Sequence, residues 1–149
     1  MKKGFTLIEL LVVIAIIGIL ASVVLIGFPS ATKKANDSRV ISAIGQARTI
    51  MTYIGANEGD YEDFEDVSTS SEMHVIWNEI NENDNDNGDA PGIQGGTEEQ
   101  GACIYAKLNA KDDYWYCADS TGVAGTVTGS ANDPADTCDG TTFVCPTLD

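Results

Sequence analysis

Lys3-Gly4-Phe5-Thr6-Leu7-Ile8-Glu9-Leu10-Leu11-Val12-Val13 opens an apolar run that continues to Phe28 and is broken only by Thr6, Glu9, Gly18, Ser22 and Gly27. A helix rises about 1.5 Å per residue, so a run of this length covers the roughly 30 Å hydrocarbon layer of a bilayer. The run is too long for an ordinary secretory signal, whose apolar region is about 7–15 residues followed by a small-x-small cleavage site. A plain membrane anchor would gain nothing from Glu9. A carboxylate within such a span costs about 2.5–3.5 kcal/mol at mid-membrane and less toward the end. The residue makes sense where a cation meets it once the helix packs among others. A cut between Gly4 and Phe5 would create such a cation, an α-amino group one helical turn from the carboxylate.

Beyond Pro29 the sequence is polar and rich in Gly, Ser, Thr, Asn and Asp. The formal charge of −15 argues against general affinity for nucleic acid or anionic lipid, both polyanions. The acidity reads as a solvated outer surface. All four cysteines, Cys103, Cys117, Cys138 and Cys145, lie in this polar part. An even number in a small head behind a membrane span points to disulfides and an oxidising compartment. A zinc site is disfavoured, because the gaps are long, no C-x-x-C occurs, and the single histidine, His74, is far away in sequence. Loop charge does not orient the span, since Lys2 and Lys3 before it are balanced by Lys33, Lys34 and Arg39 after it. The cysteines do: the head lies outside and the basic leader in the cytoplasm.

Gly18, Gly27 and Pro29 mark places where a kink or local unwinding is cheap. A helical rhythm then resumes. Val40, Ile44, Ala47, Met51 and Ile54 form one apolar stripe, with Lys34, Asp37, Arg39, Arg48 and Thr49 on the remaining surface. Residues 58–72 read as an acidic loop. Met73, Ile76, Trp77 and Ile80 have helical spacing, and residues 81–96 read as a loop by composition. Residues 102–108 and 114–118 predict a β-hairpin, with a third strand over 122–128. A turn centred on Ala110 would set Cys103 opposite Cys117 and Tyr105 opposite Trp115, close enough for a Cys103–Cys117 bridge and leaving Cys138–Cys145. The predicted class is α+β, a long N-terminal helix packed on a small antiparallel sheet. Its segments are a leader (1–4), a membrane-length helix (5–28), its amphipathic continuation (29–57) and a head (58–149).

No nucleophile elbow, phosphate loop or metal-hydrolase motif occurs, and the reading is that of a non-enzyme without cofactor. Asn83-Asp84-Asn85-Asp86-Asn87-Gly88-Asp89 invites comparison with a calcium loop, but Asn83 stands at its first position and Gln94 where the bidentate Glu belongs. Asp133, Asp136 and Asp139 form a second loose carboxylate group. Calcium remains the minority reading of both.

The stretch from Lys3 to Val13 resembles the processing and assembly motif of type IV prepilins and of the pseudopilins of type II secretion systems. The resemblance implies that a membrane prepilin peptidase cuts after Gly4 and methylates the new terminus, Phe5, and that Glu9 serves assembly. It also implies partners: further copies of the chain in a helical homopolymer, the peptidase, an inner-membrane assembly platform, and lipid before assembly. The location implied is the cytoplasmic membrane first and an extracellular pilus filament afterwards. Pseudopilins, and minor pilins that act in adhesion or bind calcium, are the alternatives within the family. One habit of the family competes with the hairpin bridge, namely a disulfide tying the C-terminal segment back to the sheet.

Overall fold

A computed structural model of the chain describes residues 4–57, 60–67, 71–85, 90–96, 101–129, 133–139 and 141–146. It divides into two compact units, residues 1–33 and 34–149. Helix α1 runs Leu7–Asn57 and contributes to both.

In the first unit, Leu7–Val24 is long and apolar enough to cross a membrane. Its large side chains are exposed, from Leu7 at 81% to Val13 at 46%. The hydroxyl of Ser22 donates to the Ile19 carbonyl at 2.7 Å, which removes a polar group that hydrocarbon would penalise. Pro29 lies within the helix. It has no N–H for the carbonyl four residues earlier, so one rung of the ladder is missing there.

The second unit is built on the stripe read from the sequence. Val40, Ile44, Ala47, Met51 and Ile54 are all buried. They meet one face of an antiparallel meander of order β1-β2-β3-β4, with β1 Gly92–Gly95, β2 Ala102–Lys107, β3 Tyr114–Asp119 and β4 Ala124–Thr128. Ala102, Ile104, Ala106 and Ala118 share that core. Three of these four are alanine, which lets a helix approach the sheet closely. Helix α2 (Glu72–Asn83) adds Met73 and Ile80 to the same core, and Ser71 caps it by accepting the His74 N–H at 3.2 Å. A 3₁₀ turn, Glu62–Glu65, drives Phe64 fully inside.

Strand β1 lies in a stretch whose composition reads as loop. Its glycines are what make it a strand here. A Cβ on Gly95 would lie 2.0 Å from the Tyr61 carbonyl oxygen, and one on Gly92 would collide with the Tyr105 ring. The sheet edge therefore accepts close neighbours on both faces. Asp37 is also unlike its expected place on the solvated surface. It is buried, and its carboxylate accepts the backbone N–H groups of Asn109 and Ala110.

That contact bears on the hairpin. The Asn109 side chain also donates to the Asn83 carbonyl at 2.7 Å, and Leu108 N–H donates to the Tyr114 carbonyl at 2.8 Å. The connection between β2 and β3 is thus held open, and Asp113 completes it in the left-handed region at φ 56°. Its centre is Lys111, not Ala110. Moving the centre by one residue moves every partner by two: Cys103 pairs with Asp119, Tyr105 with Cys117 and Lys107 with Trp115. A shift of two keeps each side chain on its face. Cys103 and Cys117 therefore share the sheet face opposite α1, but they are not opposed.

The predicted Cys103–Cys117 and Cys138–Cys145 bridges are accordingly corrected. The bridges are Cys103–Cys138 and Cys117–Cys145, with Cα atoms 5.9 and 5.8 Å apart. Together they lay the C-terminal segment across β2 and β3. Phe143 packs with Cys103 and Cys138, and Tyr105 flanks them. Asp119 joins the same closure. It is 1% exposed; one oxygen accepts from Thr121 N, Thr121 Oγ1 and Val123 N, and the other from Cys145 N at 2.8 Å. Non-reduced peptide mapping is expected to find Cys103 linked to Cys138 and Cys117 to Cys145. A Cys103–Cys117 peptide would refute the register.

Candidate functional site

Gly4, Phe5 and Thr6 lead into α1 without helical structure of their own. Lys2 and Lys3 of the leader lie outside the described residues. Gly4 has open space where a side chain would stand, and Phe5 is 76% exposed, so the Gly4–Phe5 bond is accessible.

Thr6 and Glu9 form a reciprocal cap. Glu9 Oε2 accepts the Thr6 backbone N–H at 2.8 Å and the Thr6 hydroxyl at 2.6 Å, while Glu9 N–H lies 3.4 Å from Thr6 Oγ1. The Thr6 carbonyl accepts the first helical bond, from Leu10 N at 3.3 Å. This is a capping box, which satisfies two helix-end donors at once. Its sequence signal, Thr-x-x-Glu ahead of an apolar run, stood in plain view. The box gives Glu9 a second role, starting α1, and uses one oxygen for it. Among the described residues, Oε1 takes no hydrogen bond and remains open to a cation.

The four cysteines belong to the second unit and serve the closure described above. The acidic residues once compared with metal ligands also have structural work. Asp133 Oδ1 caps a 3₁₀ turn, Pro134–Asp136, by accepting from Ala135 N at 2.9 Å. Asp139 Oδ1 accepts from Thr141 N, Thr141 Oγ1 and Thr142 N. Asn83 caps the end of α2 through its own helix, donating to the Glu79 carbonyl at 2.8 Å. Residues 86–89 of the Asn/Asp stretch lie outside the described residues. Among the described residues no three His, Cys, Asp or Glu side chains converge as a metal site would require.

Two outcomes follow. Thr6→Val keeps the shape but removes the hydroxyl bond, so the helix start should fray: Thr6→Ser should retain amide protection at Glu9 and Leu10 in detergent, and Thr6→Val should lose it several-fold. Hydrogen exchange measures both. Separately, the three donors hold the Asp139 carboxyl down at about 2, the Thr141 hydroxyl first among them. A carboxyl lowered by folding stabilises the fold above its ordinary pKa, and that contribution is lost as pH falls through the lowered value. NMR titration should place Asp139 near that value, and Thr141→Val should move it upward. An unmoved midpoint would remove the hydroxyl from the account.

Residues 1–25 match the family model described as the prokaryotic N-terminal methylation motif. The chain is 49% identical over 51 residues to a type IV major fimbrial protein, FimA, of Dichelobacter nodosus, covering 34% of this chain and 33% of that protein. It is 40% identical over 76 residues to a fimbrial protein of Neisseria meningitidis serogroup B, covering 49% and 45%. It is 56% identical over 45 residues to the type IV wide pilus major component PilA4 of Thermus thermophilus, covering 30% and 34%. The matched parts span a third to somewhat under half of the length of these curated relatives. No solved structure matches the chain. Over its N-terminal part the chain thus carries the methylation motif and is similar to type IV fimbrial and pilus proteins, and it joins to this a long apolar helix followed by a small antiparallel sheet.

Proposed function

We propose that the chain is a structural subunit that polymerises into a type IV pilus-like filament. The observation that carries this reading is the first unit's helix, whose apolar side chains are exposed from Phe5 to Val24. So large an apolar surface exceeds by far what a free soluble chain tolerates. Lipid covers it while the subunit waits in the membrane, and the same helices of other copies cover it in a filament. The few polar groups of the helix, Thr6, Glu9 and Ser22, have local partners, which makes both environments acceptable.

The proposed maturation begins with removal of residues 1–4 by a prepilin peptidase and methylation of Phe5. Residues 5–28 then form the membrane and filament-core helix, residues 29–57 its amphipathic continuation and 58–149 the outer head. The platform that drives assembly lies in the inner membrane. A head outside the cytoplasm suits the two disulfides, which form in oxidising compartments. The names of the relatives, a major fimbrial protein and a pilus major component, favour an extracellular pilus over a secretion pseudopilin.

In this account Glu9 contributes one oxygen to the cap and offers the other to the amine of a processed Phe5, on its own or a neighbouring copy. An unpaired charge among bundled helices would cost several kcal/mol. Glu9→Gln keeps the size and much of the cap but removes the charge. Inserted, processed protein beginning at Phe5 should be found by terminal sequencing, whereas filaments seen by electron microscopy should fall by about tenfold or more. Normal fibre numbers from the Gln variant would overturn the role given to Glu9. A mature chain starting near Ala31 would overturn the processing.

A further inference from the structure

We infer that Asp119 directs the pairing of the four cysteines: before a bridge forms, its carboxylate seats the Cys145 backbone on β3, which makes Cys117 the partner of Cys145 and leaves Cys103 to Cys138. Four thiols can join in three ways. Sheet register removes one of them. Cys103 stands opposite Asp119 and Cys117 opposite Tyr105, so the two thiols lie on a diagonal. Diagonal neighbours are about 7–8 Å apart, beyond the Cα spacing of about 4.4–6.8 Å that a disulfide accepts.

The other two pairings are nearly even by chain entropy. The observed bridges have sequence separations of 35 and 28 residues. In the crossed alternative, Cys103–Cys145 with Cys117–Cys138, one loop grows and the other shrinks by the seven residues that separate Cys138 from Cys145. Closure entropy follows the logarithm of loop length, so it separates the two by less than about a factor of two. Nor does the sheet choose, because Cys103 and Cys117 share one face and both are fully buried. The choice falls to whatever places the C-terminal segment before it is cross-linked.

Asp119 is positioned to do this. It lies directly across from Cys103 and two residues beyond Cys117, on their face of the sheet. Its Oδ1 accepts from Thr121 N, Thr121 Oγ1 and Val123 N, so the turn from β3 to β4 fixes the carboxylate without help from a cysteine. Its Oδ2 accepts from Cys145 N at 2.8 Å. Among the described residues, this is the hydrogen bond that crosses from the segment Asp133–Pro146 to the sheet. The rest of that segment is organised locally: Cys138 bridges to Phe143 as an antiparallel pair, and Asp139 holds the turn between them. Crossing the bridges would turn the segment end for end and take Cys145 N away from Oδ2. A fully buried carboxylate would then lack a donor on that oxygen, which is costly. Asp119 thus favours the native arrangement and penalises the crossed one.

Each bridge forms by exchange with a small disulfide such as oxidised glutathione. One cysteine thiolate attacks it and expels a glutathione thiolate, giving a mixed disulfide. The partner cysteine thiolate then attacks the protein sulfur and expels the second glutathione. Two protein thiols are oxidised, one disulfide is reduced to two thiols, and the two protons pass to the released glutathione. Asp119 exchanges no electrons; it decides which partner is within reach.

The full chain, reduced in denaturant and returned to detergent with oxidised and reduced glutathione, should regain Cys103–Cys138 and Cys117–Cys145 by non-reduced peptide mapping. Asp119→Asn keeps the size and a carbonyl for the turn, but sets its amide NH2 against Cys145 N–H. Non-native pairings should rise about tenfold relative to the native ones. Ile80→Val, which trims the core on the other face of the sheet, should lower stability but leave that ratio within about twofold. A second measurement serves where the Asp119→Asn chain folds poorly. With Cys103→Ala and Cys138→Ala only Cys117 and Cys145 remain, and their effective concentration is read from redox equilibrium with glutathione. Adding Asp119→Asn should lower it about tenfold, and adding Ile80→Val should leave it within about twofold. An effective concentration untouched by Asp119→Asn overturns the inference, as does native pairing in the Asp119→Asn chain with all four cysteines. Equal losses in the Asp119→Asn and Ile80→Val chains overturn it too, because pairing would then follow overall stability with no directing residue.

Discussion

A helix that is apolar on every side and exposed along its length has to be satisfied by something outside its own chain. Leu7–Val24 is such a helix, and much else in the molecule answers to it. Hydrocarbon and neighbouring helices are both dry, so the backbone must bond to itself and each polar side chain must find a partner within reach. Ser22 does so through the Ile19 carbonyl, and Thr6 and Glu9 through each other. In the proposed maturation Glu9 would enter the membrane as a helix cap with a spare oxygen, a less costly state than a bare carboxylate, which would let one residue be tolerated before assembly and used during it.

The second unit faces the opposite difficulty. It is small, its core on the sheet side is largely alanine, and its surface is strongly acidic. Burial of that kind stabilises modestly, and small folds compensate with cross-links. Here the C-terminal segment is fixed across β2 and β3 by two bridges, and Asp119 bonds its backbone between them. Bridges with sequence separations of 35 and 28 residues constrain the unfolded chain by about 3–4 kcal/mol each in the loop-entropy model. The carboxylates that make the surface acidic also hold the turns: Asp37, Asp119, Asp133 and Asp139 each accept backbone N–H groups. Acidity in this chain is partly architecture.

What the sequence by itself determined were the features set by local periodicity and local chemistry. The membrane-length run, the stripe from Val40 to Ile54, α2 and the three later strands repeat at intervals that a helix or strand converts directly into a face. Glu9 stood out as a candidate because a charge inside an apolar run has few explanations. The capping box was equally local and was there to be read. Tertiary structure alone decided the rest. Strand β1 is a strand because Tyr61 and Tyr105 pack where Gly95 and Gly92 leave room, and no property of residues 92–95 announces those neighbours. The hairpin centre moved to Lys111 because Asp37, more than seventy residues away, holds the N–H groups of Asn109 and Ala110. Once the centre moved, Cys103 and Cys117 ceased to face each other and each found a C-terminal partner. Alternation along a strand specifies which face a side chain takes, whereas its partner depends on register, and register here is set by contacts between segments distant in sequence.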